Sequence, residues 1–484
     1  MKKAILIILI IFNLPFPQSI KADVKLPAIV SSNMVLQRNT TVKIWGWSDA
    51  KEKITIAASW LQMPVAVTAD KKGNWHINVK TNNSKKPQQI NIVSKTSNIN
   101  LTNILFGEVW LCSGQSNMEQ PLKGYPGQPT FESQMAIAKA NNPKLRLFII
   151  KRKASIKPID DIVDYIGWKE ASPESVSDFS AVAYFFGQQL QEILDVPIGL
   201  IQSAWGGSKV QAWMSTEALQ TYDYIDTNPT TVPQKKTQNV PTLLFNAMIN
   251  PITPYTIKGA LWYQGESNRN EPENYKELFP DMVKDWRQRW DLGDFPFYYV
   301  QIAPYWYRNN DAFQTAENTA FIRESQLECL DLIPNSGIAI TMDLGKEFFI
   351  HPPKKKEVAN RLLYNALNYT YGFTSVDCAS PIFSSLETKK DGLILKFKNA
   401  ETGLFTFDTL KGFEIAGKDK VFYPAKADII KRTHLFVSSP KVPHPVAVRY
   451  AWRNWTVGTL FDTNLLPASS FRTDKWKDAS RYSK

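Results

Sequence analysis

Gly107-Glu108-Val109-Trp110-Leu111-Cys112-Ser113-Gly114-Gln115-Ser116-Asn117-Met118 reads as a buried strand, a glycine-containing turn and the start of a helix. That succession is the unit from which parallel sheets are built, and open α/β sheets gather their ligands at the carboxyl ends of the strands. Ser116 therefore falls on a turn where chemistry is commonly sited, with its backbone N–H at a helix start that suits a developing oxyanion. Serine is also a frequent helix cap, and on this segment alone the structural reading carries more weight. Cys112, inside an apolar run, reads as buried packing rather than as a reactive thiol.

Working outward, apolar runs alternate with amphipathic stretches from residue 104 to about 372. The segments 108–111, 147–150, 198–202, 259–263, 297–302 and 337–342 read as buried strands, and 181–194 and 275–290 as helices. Continuous apolar strands spaced by helices imply a mostly parallel sheet covered on both faces, hence an α/β domain. On the amino-terminal side, residues 23–103 carry short segments of period two, such as Thr41-Val42-Lys43-Ile44-Trp45 and Trp75-His76-Ile77-Asn78-Val79, separated by turn signals. That pattern predicts an antiparallel β-sandwich. After Gly372 the period returns to two, which predicts a second β region over 373–484.

Residues 1–22 read as a signal peptide, with Lys2 and Lys3, an apolar stretch over 4–16 and a cut after Ala22, so export to the periplasm or beyond is expected. Ile20 is larger than the small residue usual at its place before such a cut, and no cysteine stands where a lipid anchor would attach. No later stretch approaches the roughly 18 apolar residues of a membrane span. Three cysteines allow at most one internal disulfide, which excludes a disulfide scaffold. The net charge of +12 comes from scattered lysines, among them Lys85, Lys86, Lys235, Lys236 and Lys354 to Lys356, without an arginine-rich helix, so nucleic acid is a poor candidate partner. A mild basic field suits an acidic glycan, although solvated surface charge is the commoner cause. Fifteen Trp and 18 Tyr are more rings than an average core needs, and pyranose faces stack on such rings; for any single ring, core packing is the favoured reading.

A nucleophilic serine needs a base, and the chain has four histidines. His76 alternates with apolar residues in a strand, and His434 and His444 sit in the carboxyl-terminal β region, so structural roles suit all three. His351 follows a predicted strand and loop and precedes Pro352-Pro353 and a helix beginning near Lys355, which puts it at the same sheet edge as Ser116. A two-carboxylate glycosidase fits less well, because Glu266 has no evident partner.

Four segments carry a resemblance: Met34-Val35-Leu36-Gln37-Arg38, Gly114-Gln115-Ser116-Asn117-Met118, Trp262-Tyr263-Gln264-Gly265-Glu266-Ser267-Asn268, and Ile350-His351-Pro352 with Arg361-Leu362. In this order they resemble sialate O-acetylesterases of the Ser-Gly-Asn-His (SGNH) hydrolase superfamily, over about residues 26–473. The resemblance implies a flavodoxin-like catalytic domain with amino- and carboxyl-terminal β-sandwich-like regions, and hydrolysis of O-acetyl esters on sialic acids or other sugars with no metal or cofactor. It implies Ser116 as nucleophile and His351 as base. The oxyanion hole would be formed by the backbone N–H groups of Ser116 and Gly207 and the side-chain amide of Asn268. Gly206-Gly207 is otherwise a turn and Asn268 a capping residue. Many superfamily members place Asp three residues before the histidine; here that position is Phe348. Asp343, Glu347 or a backbone carbonyl is left to orient the imidazole, and Asp343 is preferred because a strand end fixes a carboxylate better than a loop does. Gln115, Glu266 and Arg323 are candidates for substrate contact, set against loop-holding for Glu266 and an ordinary helix-surface position for Arg323. Two other functions remain open: an acetylxylan or general carbohydrate acetylesterase, and a catalytically inactive carbohydrate-binding protein on the same scaffold.

Overall fold

A computed structural model describes residues 23–228, 236–307, 317–476 and 480–481; the expected signal peptide lies outside them. The centre is a seven-stranded run of sheet: β1 (Asn98–Gly114), β2 (Asn142–Ile150), β3 (Tyr165–Ala171), β4 (Ile198–Ala204), β5 (Gly259–Tyr263), β6 (Phe297–Val300) and β7 (Ser336–Ala339), in spatial order β7-β6-β5-β1-β4-β2-β3. Every neighbouring pair is parallel except β2 with β3. All residues of β4, β5 and β6 are buried, which is why these strands are unbroken apolar runs in the sequence.

Helices cover both faces. The segment α1 (Ser116–Glu119) follows β1, α2 (Ala181–Leu194) precedes β4, α3 (Pro272–Trp290) joins β5 to β6, α4 (Asn318–Leu332) precedes β7, and α5 (Lys355–Asn365) follows it. One face packs α2 and α5 around Trp110, Leu200 and Tyr298; the other packs α3 around Trp262 and Phe297. Trp110, Trp213, Trp262, Trp286 and Trp452 are completely enclosed, so core packing accounts for these indoles.

The amino-terminal region is two antiparallel layers sharing one apolar core. Thr41–Trp47 pairs with Asn74–Lys80, while Lys53–Ala58 lies between Val65–Thr68 and Gln88–Val93. The second layer runs straight into the central sheet, because Gln88–Val93 pairs with the first half of β1 and β4 and β5 with its second half. The change of environment at residue 103 therefore falls inside one continuous 17-residue strand. Met34 to Arg38 is part of this joint. Val35–Gln37 lies parallel to Leu105, Phe106 and Gly107, and Gln37 Nε2 and Arg38 Nε donate to the buried Glu108 carboxylate at 3.1 and 2.5 Å. The motif braces the base of the strand that leads into Ser116.

The carboxyl-terminal region forms a four-stranded antiparallel sheet (Ile382–Lys389, Gly392–Lys398, His434–Ser438, Lys426–Ile430) and a five-stranded sheet centred on Phe413–Ala416 and Ala447–Tyr450. Arginines fasten it to α4: Arg472 is bidentate to Glu324 at 3.0 and 2.8 Å, and Arg449 bridges Asp474 and Glu317. Among the described residues no helix is long and apolar enough to cross a membrane.

Candidate functional site

The carboxyl end of β1 is pressed against β5. Gly114 sits at φ +139°, and a Cβ built on it would lie 2.2 Å from the Tyr263 carbonyl oxygen, so only glycine fits. The Gln115 N–H donates to that carbonyl at 2.9 Å, and the chain then turns into α1 with Ser116 as its first residue, partly exposed. The loop after β4 closes over it, a Cβ on Gly206 falling 3.2 Å from Ser116 Cβ. That loop is held by Glu119, which accepts from the Gly206 N–H at 2.8 Å and is itself gripped by Arg152. Gly207 follows at φ +76°. Among the described residues, neither the Ser116 nor the Gly207 N–H meets an acceptor.

His351 is brought to this turn by two contacts. Asn117 Nδ2, next to Ser116, donates to the carbonyl of Ile350, next to His351, at 3.2 Å. Tyr125 reaches both sides, its hydroxyl 3.5 Å from the Ser116 carbonyl and its ring centroid 5.4 Å from that of the imidazole. Burial, with the nearby Lys355 ammonium second, lowers the imidazole to about 4, so His351 is neutral near pH 7.

The side chain that meets Nδ1 of the imidazole is Gln128. His351 Nδ1–H donates to Gln128 Oε1, which leaves Nε2 as the lone-pair nitrogen. Gln128 stands in a tight hairpin, its N–H and carbonyl exchanging hydrogen bonds with Tyr125 at 2.9 and 3.0 Å. Asp343, preferred for this task in the sequence, is committed elsewhere: both its oxygens accept from Arg361, at 2.7 Å each, and Arg361 also donates to the Ile340 carbonyl. Glu347 contributes its backbone carbonyl to the Trp306 N–H at 3.0 Å. Gln128 carries no charge and lies 223 residues from His351, so only the glycines around it, Gly124 and Gly127, mark its hairpin in the sequence.

Asn268 is enclosed. Its Oδ1 accepts from Val210 N–H at 2.9 Å and Gln264 Nε2 at 2.7 Å, and its Nδ2 donates to Gln211 Oε1 at 3.1 Å. It thereby fixes the loop that carries Gly207. Gln115 is also turned inward, its Oε1 accepting from the Gly265 and Ser267 N–H groups at 3.4 and 3.3 Å. Glu266 is 4% exposed, and its Oε1 accepts from Asn117 Nδ2 at 2.5 Å; loop-holding is what its geometry serves. Burial raises its carboxyl above the ordinary value, against Asn117 and the Lys355 and Arg269 charges.

Arg323 is not at the site. It is 0% exposed and donates to Ser470 Oγ, Thr319 Oγ1 and the carbonyls of Ala451 and Arg453, which fastens the carboxyl-terminal region to α4. Its burial lowers the guanidinium to about 9. A lone arginine in a mid-helix sequence gives no sign of such a socket. The three cysteines are buried and free. Among the described residues no three His, Cys, Asp or Glu side chains are grouped to hold a metal ion.

Residues 106–355 match the family described as "Carbohydrate esterase, sialic acid-specific acetylesterase". The sialate O-acetylesterase of Mus musculus is 26% identical over 91% of this chain and 93% of its own length, and that of Homo sapiens 27% identical over 88% and 87%. A solved structure of a carbohydrate acetylesterase from Xanthomonas citri is 32% identical, with a TM-score of 0.85 covering 94% of this chain and all of that one. The matched span runs from the strand that leads into Ser116 to the helix start that follows His351, and the chain belongs to the family of sialic acid-specific acetylesterases among the carbohydrate esterases.

Proposed function

We propose that this carbohydrate esterase removes O-acetyl groups from sialic acids by attack of Ser116 Oγ on the acetyl carbonyl, with His351 Nε2 taking the serine proton. The tetrahedral oxyanion faces the N–H groups of Ser116 and Gly207, with the second Nδ2 hydrogen of Asn268 behind them; each such donor is worth about 3 kcal/mol in acyl transfer. The tetrahedral adduct collapses to acetyl-Ser116 as His351 returns its proton to the departing sugar oxygen, and water attacks the acyl-enzyme with the same base. The observation that carries this reading is the Asn117–Ile350 hydrogen bond, which ties the neighbours of the hydroxyl and the imidazole together across 233 residues. The scaffold is proposed to be the flavodoxin-like SGNH arrangement, supported by six parallel strands with helices on both faces. Export through residues 1–22 belongs to the same proposal.

A second reading is acetate removal from neutral sugars, favoured by the relative from Xanthomonas citri described as a carbohydrate acetylesterase. Acetate release from O-acetylated sialic acid, set beside acetylated xylan, decides between them. A preference for xylan would overturn the sialic acid assignment while leaving the chemistry intact.

Gln128 and Asp343 separate in a single experiment. Gln128→Ala removes a neutral hydrogen bond worth about 1 kcal/mol and is expected to slow kcat roughly fivefold at unchanged stability. Asp343→Ala leaves the Arg361 guanidinium without its carboxylate and is expected to cost about 3 kcal/mol in unfolding free energy, with a small effect on kcat. Denaturant unfolding beside initial rates gives both numbers. The reverse pattern would restore Asp343 as the orienting group.

A further inference from the structure

Beneath Ser116 and His351 lies a buried charged cluster that the reaction as written does not use. Lys355, at the first position of α5, is 0% exposed, and its Nζ donates to Asn117 Oδ1 at 2.5 Å while lying 5.5 Å from the centroid of the buried Tyr263 ring. The other end of the Asn117 amide is shared between Glu266 Oε1 and the Ile350 carbonyl. Among the described residues, Glu266 Oε2 and Tyr263 Oη are buried and meet no hydrogen-bond partner. The Lys355 amine on the amide oxygen and the Glu266 carboxyl on its nitrogen fix which way the amide faces, and burial lowers the Lys355 ammonium to about 7 and raises the Glu266 carboxyl. Enclosing an ammonium and a carboxylate in a protein interior is costly, and an apolar pair of similar size would pack there more cheaply. What the cluster supplies is position. Asn117 follows Ser116, Ile350 precedes His351, and Lys355 and Glu266 anchor the same amide from α5 and from the loop after β5.

We propose that Lys355 is a positioning residue for ester hydrolysis: through Asn117, and with Glu266 as counter-charge, it locks the Ser116 turn to the His351 loop in the register that lets hydroxyl and imidazole exchange a proton. This rests on the serine esterase reading given above. Lys355 touches neither the acetyl group nor the reacting atoms. Its charge has a second effect. His351 faces Lys355 from α5 and Tyr125 and Gln128 from the hairpin after α1, Glu119 standing behind Tyr125; Lys355 faces Glu266, and Glu266 faces Arg269 and Tyr307. Of the groups around His351, the Lys355 ammonium is the charge that opposes protonation of the imidazole.

The test is hydrolysis of p-nitrophenyl acetate by the full chain, with kcat and KM followed across pH in the wild type and in Ser116→Ala, Lys355→Met, Lys355→Gln and Lys355→Arg variants. Lys355→Met is expected to lower kcat about ten- to a hundredfold, the size of effect that a small misplacement of reacting groups produces, with KM within about threefold. Its acid limb should move to higher pH, because the charge that depresses His351 is gone. Lys355→Arg should recover part of kcat and keep the acid limb where it was. Lys355→Gln carries the same comparison if the methionine variant does not fold. A kcat and acid limb like the wild type's in the neutral variants, or a loss confined to KM, would overturn the proposal. If Ser116→Ala keeps its rate, the esterase mechanism itself fails; if it is inactive while the neutral Lys355 variants behave as wild type, only the positioning role does.

Discussion

Replacing Ser116 by alanine is expected to cut acetate release by roughly 10⁴-fold or more, since the other members of a nucleophile–base pair rescue little once one is gone. The unfolding midpoint should move by no more than about 2 °C. Both expectations come from where the side chain stands. Ser116 is partly exposed, so its hydroxyl leaves no stranded polar atom behind. What holds the turn is backbone: Gln115 N–H on the Tyr263 carbonyl at 2.9 Å and Gln120 N–H on the Ser116 carbonyl at 2.8 Å. The Cβ that packs under Gly206 is kept by alanine. Acetate release from O-acetylated sialic acid, read beside a melting curve, separates chemistry from folding. An alanine variant with the wild-type rate would remove the serine mechanism altogether, whatever the sugar. Loss of rate together with a large drop in the midpoint would mean that the residue holds the turn rather than attacks the ester.

The central sheet was legible because each of its middle strands is buried on both faces, and a strand with no solvent side has to be apolar at every position. Residues 259–263 coincide with β5, and 181–194 with α2. Helix α3 starts at Pro272, three residues before the expected 275, because proline at a first helical position fits without an apolar side chain to announce it. The junction near residue 103 was legible as a change of pattern, from alternating to continuous burial along β1. That the same strand carries on through it is a matter of pairing, which periodicity does not encode.

At the site, scarcity did the work. With four histidines and three of them in β patterns, His351 stood out. The groups packed around the two residues are harder to see. Gln128 is neutral and acts across a tertiary contact. Arg361 belongs to a sequence motif, but its pairing with Asp343 depends on α5 folding back beside the end of β7. Lys354, Lys355 and Lys356 look like one run of surface charge, yet the helix turns Lys355 wholly inward while Lys356 reaches Glu132 at 2.7 Å in solvent. A hundred degrees per residue separates them, and nothing in a triplet of identical side chains says which one faces the core.

His351→Ala should abolish acetate release to an extent similar to Ser116→Ala, and the double variant should lose little more than either alone, because in the proposed mechanism the two groups perform one proton transfer. The wild-type enzyme adds a sharper expectation. A base works only when unprotonated, and an ordinary histidine, at about 6.5, would be almost entirely protonated at pH 5. Here burial, helped by the Lys355 charge, holds the imidazole at about 4, so most of it is still a free base at pH 5. Its Nδ1 partner is the Gln128 carbonyl oxygen rather than a carboxylate, and a neutral acceptor does little to favour the imidazolium. The acid limb of kcat/KM should accordingly lie well below pH 6, a range in which Lys355, lowered to about 7, still carries its proton. A limb at 6.5 or above would mean that the free enzyme carries a solvated or carboxylate-paired imidazole, and the half-buried, amide-paired His351 could not then be the base. The limb reports the base in the free enzyme, so rates at low substrate concentration across pH 3.5–8 are the measurement that decides it.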